Sequence, residues 1–145
     1  MTAPTLWYVN GLRAMARAGL GVAAVTGTPK AMFVKAAYVL DQDNHDFIND
    51  INANEATGTG VSAGGVALSS LTVTAVGATN TVNIDAADIT GISVTCCYVV
   101  IYVDTGTTST SPIFTITDLS EGAGVDAVWT GVVWNSNGIA GITAA

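Results

Sequence analysis

Beyond residue 65 the chain alternates short runs rich in Thr, Val and Ile with clusters of Gly, Asn, Asp and Ser, and no helical period runs through it. β-Branched side chains suit a pleated, half-buried surface, so these runs read as strands over 66–76, 81–85, 92–104, 112–118, 127–134 and 139–143. An earlier run over 30–40 reads the same way. The punctuation between runs, Gly77-Ala78-Thr79-Asn80, Asp104-Thr105-Gly106 and Asn135-Ser136-Asn137-Gly138, supplies residues that tolerate left-handed backbone angles. Short strands at such intervals predict an all-β fold, an antiparallel β-sandwich or barrel-like sandwich, rather than a parallel sheet with crossover helices.

Only residues 11–24 favour helix. Leu12, Met15, Ala16 and Leu20 recur at roughly helical spacing with Arg13 and Arg17 on the other side, while Gly19 and Gly21 weaken the end. A short helix and an irregular arm both fit. The expected organisation is therefore an N-terminal arm or short helix over 1–30 and a β-sandwich domain over 31–145. With half its 145 residues apolar and only 10% charged, the chain is not built for disorder, and one domain of this size buries roughly 70% of its unfolded surface. Residues 41–65, rich in Asp, Asn, Gly and Thr, read as a polar loop. A loop of that length inside a compact domain is normally functional or pinned by a partner.

Charge divides the chain in two. Arg13, Arg17, Lys30 and Lys35 are all of its Lys and Arg, and they fall in the first 35 residues, where there is no Asp or Glu; residues 36–145 carry all 11 carboxylates. A net charge of -7 leaves the body nothing with which to neutralise phosphates, which argues against a nucleic-acid partner. No window approaches the ~18 uninterrupted apolar residues of a membrane span, and Arg17 splits the one run that resembles a signal peptide. A basic leader on an acidic body reads as an attachment segment, with Leu6, Trp7, Tyr8, Leu12, Arg13, Met15, Arg17, Lys30 and Lys35 as the expected contacts to a partner surface and to neighbouring copies. No Lys follows position 35 to guard sheet edges; Pro112 is expected at an edge, and neighbouring copies at the others.

Several patterns could carry chemistry. Gly60-Val61-Ser62-Ala63-Gly64 matches a serine-hydrolase elbow, but a polar loop precedes it, a strand pattern follows it, and the single histidine, His45, lies upstream. The overlapping 58–63 fits a dinucleotide fingerprint with Asp85 further on, yet lacks the strand before and the helix after. Asp41, Asp43, His45, Asp46 and Asp50 are the densest set of potential ligands. Asp46 and Asn52 stand where a calcium loop needs Gly and Glu, so an Asx loop bonded to its own backbone is expected, with no metal and no cofactor. Adjacent Cys96 and Cys97 on one strand would point to opposite faces, which predicts two buried, reduced thiols.

The segment 43–51, running into Asn54-Glu55-Ala56-Thr57-Gly58-Thr59-Gly60 and Ala63-Gly64-Gly65-Val66, resembles a family of small structural proteins of tailed bacteriophages. That family shows an acidic HDF segment, an ANE-x-x-GTG turn and AGG before a strand. In order, 80–88, 99–106, 110–113 and 134–139 are similar to its later strands and closing hairpin, so the likeness covers about residues 38–140. Val61 stands where the family usually has an aromatic, and Val103 where it often has Lys. The resemblance implies a virion protein made in the host cytoplasm. Its expected role is a capsid decoration, or cement, protein on the outer head surface, a homotrimer whose partners are the major capsid protein and itself. A minor tail, head-tail joining or other low-copy virion protein is the alternative, and a hydrolase using Ser62 or His45 a more distant one.

Overall fold

A computed structural model of the chain describes residues 5–8, 11, 26–70, 72–76, 81–134 and 140–143. The fold is an all-β antiparallel sandwich. Among the described residues its ten strands are β1 (Thr5–Trp7), β2 (Thr28–Val34), β3 (Val66–Ala67), β4 (Thr72–Val76), β5 (Thr81–Asp85), β6 (Val94–Cys96), β7 (Tyr98–Asp104), β8 (Ile113–Asp118), β9 (Ala127–Trp129) and β10 (Ala140–Thr143). They form a five-stranded sheet in the order β1-β8-β7-β2-β3, a three-stranded sheet β10-β5-β4 and a two-stranded sheet β6-β9. The helix or arm expected over 11–24 lies outside the described residues except for Gly11.

The five-stranded sheet is buried on both faces. Alternation along β2 and β7 sends Ala31, Phe33, Val99 and Ile101 to one side, where they meet Val94 and Cys96 of β6 together with Ala56, Val61, Ile89, Ile92 and Val132. Met32, Val34, Val100 and Tyr102 point to the other side and meet Tyr8, Tyr38, Ile48, Ile51, Ile113 and Ile116. Ile48 and Ile51 sit at two consecutive 3₁₀ turns, Ile48–Asp50 and Asn52–Asn54. The region 41–65, expected as a polar loop, is therefore a covering layer of the core. Most of its polar residues are exposed or bond its own backbone; Ile48 and Ile51 close the second face of the sheet, and Ala56 and Val61 pack on the first.

Two of the expected long strands are each divided between sheets. The run 66–76 leaves β2 after Ala67, where the Leu68 amide donates to the Pro29 carbonyl at 2.9 Å, turns through Ser70 at φ 55°, and resumes as β4 against β5. The run 92–104 pairs with β9 as far as Cys96 and with β2 and β8 from Tyr98 onward. Strands that change sheet at a bend make the corners of such sandwiches. The strand expected over 127–134 ends at Trp129, and that over 30–40 ends at Val34. Pro112 does not guard an edge: it precedes β8, which lies between β1 and β7. Its carbonyl accepts from the Val103 amide at 3.1 Å, and its lack of an N–H is harmless just outside the ladder.

Candidate attachment surface

β1 is the edge strand of the large sheet, in register with β8 from Thr5 opposite Thr117 to Trp7 opposite Thr115. The Tyr8 amide donates to the Phe114 carbonyl at 2.8 Å, so alternation turns the Trp7 backbone outward. There Gln42 Nε2 donates to the Trp7 carbonyl at 2.6 Å, capping an outward-facing acceptor of an edge that has no Lys to protect it. The Tyr8 ring is wholly buried, and its hydroxyl lies 2.9 Å from that of Tyr38. Burial and that bond push the Tyr8 phenol far above its ordinary range, and burial likewise raises Tyr38. Tyr38 in turn bonds His45 Nδ1 at 2.7 Å and packs edge-on against Tyr98.

The expected attachment residues thus separate. Tyr8 belongs to the core, Trp7 is half-buried, and Leu6 remains exposed on β1. Lys30 and Lys35 lie on and just after β2, three strand spacings from β1, or about 14 Å at ~4.8 Å per strand. Lys30 Nζ is taken up by Asp104 at 2.7 Å, and that bond, with one from the Gly106 amide, holds the Asp104 carboxyl below its usual range. Lys35 is exposed, and its amide donates to the Asn54 carbonyl. Leu12, Arg13, Met15 and Arg17 lie outside the described residues. Val39 and Val133, each 78% exposed, Val128 at 65% and Val125 at 56% add apolar surface that the sequence did not single out.

The motif glycines have a structural reason. A side chain on Gly58 would strike the Ser93 carbonyl, one on Gly60 would come within 2.7 Å of the Gly91 carbonyl, and one on Gly65 would strike the Ala31 carbonyl. Gly60 and Gly65 also hold φ of +71° and +76°. Around the turn, Glu55 Oε1 accepts from the Gly64 amide at 2.6 Å and Tyr102 donates to the Gly64 carbonyl at 2.7 Å. Burial, then Asp104 and Glu55, push the Tyr102 phenol up to about 12. Val61 and Val103 are both buried.

Ser62 is exposed on this turn, and no hydrogen bond among the described residues joins it to His45, whose Nδ1 is engaged by Tyr38. The acidic stretch forms Asx bonds: Asp41 accepts from the Asn44 amide and side chain, which lower its carboxyl, and Asp50 Oδ2 accepts from the Asp46 and Phe47 amides at 2.9 and 3.0 Å. Among the described residues no three His, Cys, Asp or Glu converge as a metal site would require. Cys96 and Cys97 are free and buried. Cys96 lies in the core, where burial and then the Asp126 charge push its thiol up to about 12; Cys97 Sγ lies 3.4 Å from Ser120 Oγ. No described helix is long and apolar enough to cross a membrane. Comparison with family models, curated proteins and solved structures finds no match.

Proposed function

We propose that this chain is a structural protein of a tailed-bacteriophage virion, a capsid decoration protein that binds the outer head surface and bridges capsomers, as a homotrimer. The observation that carries the reading is the order of motifs over residues 38–140. Its ANE-x-x-GTG and AGG segments fall on the close backbone approaches at Gly58, Gly60 and Gly65, so they are bound to the fold rather than to a reaction. The separation of charge supports it: an acidic body limits adhesion to DNA and to other particles, and the leader holds the cations. The function is mechanical. Contacts that exist only in the closed shell stabilise it against internal pressure by mass action.

Quantitative mass spectrometry of purified virions tests the position. A decoration protein is expected near the abundance of the major capsid protein; tens of copies or fewer would assign a connector or tail position instead. Because Tyr8 is a core residue and β1 a sheet strand, deletion of the leader would confuse attachment with folding. Arg13→Glu/Arg17→Glu together with Lys35→Glu is the cleaner probe. Binding to undecorated heads should weaken and lose its dependence on salt between ~50 and ~200 mM. Unaltered binding would remove the leader as the attachment segment.

A further inference from the structure

We propose that Tyr8, Tyr38 and His45 form an acid-sensitive latch, in which protonation of His45 breaks the hydrogen-bond chain tying β1 to the layer over the sheet. This inference stands apart from the virion reading and rests on the donor count of the chain. Tyr8 Oη and Tyr38 Oη are 2.9 Å apart, and Tyr38 Oη is 2.7 Å from His45 Nδ1. The two phenols are 0% and 4% exposed, while His45 is half-buried and reaches solvent. With the His45 proton on Nε2, Tyr8 donates to Tyr38 and Tyr38 donates to Nδ1, so each hydroxyl proton has an acceptor.

A proton added at Nδ1 turns the terminal acceptor into a donor. Two phenol protons and one N–H then share two phenol oxygens, and one hydroxyl proton is left without an acceptor in a site closed to water. In the unfolded chain water satisfies every group, so only the folded state is penalised. The latch therefore contributes stability while Nδ1 is an acceptor and loses it once Nδ1 carries a proton. Opposing charges are identifiable. Asp41 and Asp50 face Tyr38 from the same layer, Asp43 and Asp46 flank His45 in the chain, Tyr8 arrives from β1 and Tyr98 from β7. Asp41 and Asp50 already accept local N–H groups, and solvent screens their charge.

His45 is the only histidine, so thermal unfolding of the intact chain between pH 7.5 and 5.5 isolates it from the carboxylates. The expected result is a melting temperature lower by about 5 °C at pH 5.5, with no such fall in His45→Gln or Tyr38→Phe. Tyr38→Phe should melt lower at both pH values, because it strands the Tyr8 hydroxyl throughout. Nitrogen NMR of His45 in the native protein at pH 7.5 should show Nδ1 unprotonated, which decides the matter even if Tyr38→Phe does not fold. An equal fall in all three chains, a rise in stability on acidification, or an Nδ1–H tautomer at pH 7.5 would overturn the proposal.

Discussion

Replacing Ile51 with Ala measures directly whether residues 41–65 are a core layer. Ile51 is 0% exposed and packs with Ile48, Tyr38 and the Val34, Val100 and Ile113 side chains of three strands. The substitution removes three carbons, or about 2.4 kcal/mol at ~0.8 kcal/mol per buried methylene. A fixed backbone adds a cavity penalty, which brings the expected loss to about 3–4 kcal/mol. That is a large share of the ~5–15 kcal/mol that holds a domain together. With a urea slope of about 2 kcal/mol per molar, the unfolding midpoint should fall by about 1.5–2 M. Val39→Ala, at a site 78% exposed in the neighbouring turn, is the internal control and should stay within about 0.5 kcal/mol. A loss below about 1 kcal/mol for Ile51→Ala, or equal losses at both sites, would refute the layer.

Gly65→Ala should cost about 3 kcal/mol, because the added methyl meets the Ala31 backbone as well as an unfavourable φ, whereas Gly91→Ala, with φ +71° and open space, should cost about 1 kcal/mol in the same urea titration. Both thiols should react slowly with an alkylating reagent at pH 8 and at full rate once unfolded, Cys96 above all because burial keeps it protonated; rapid labelling of the native chain would contradict its position in the core. Chelator should leave the melting temperature unchanged, since Asx bonds order the acidic stretch; a fall of several degrees reversed by Ca²⁺ would show a metal there. Lys30 bonding lowers the Asp104 carboxyl, so this pair contributes fully above the ordinary carboxylate range and is lost as pH falls from there through the lowered folded value; Lys30→Met should flatten that part of the acid-unfolding curve, and an unchanged curve would show the pair to be inert.

The residues that repeat along a regular face were legible without coordinates. Thr, Val and Ile runs mark most of the strands, and β5 falls on the expected 81–85. The paired thiols are buried, and the Asx residues bond locally, because both outcomes depend on residue type and near neighbours. Tertiary structure decided what has no period or no nearby partner. Ile48, Ile51, Ala56 and Val61 lie in irregular backbone, where apolar residues follow neither a 2 nor a 3.6 spacing, so their membership of the core is silent in the sequence. The bends at Ser70 and Cys97 look continuous in composition because each half is still a strand; only the pairing partners show that the sheet has changed. Lys30 finds Asp104 across 74 residues, and Tyr8 finds Tyr38 across 30, through the register of β2 on β7 and β1 on β8. Local chemistry follows from neighbours along the chain, whereas these partners are chosen by which strands lie side by side, a choice that exists only once the chain has closed on itself.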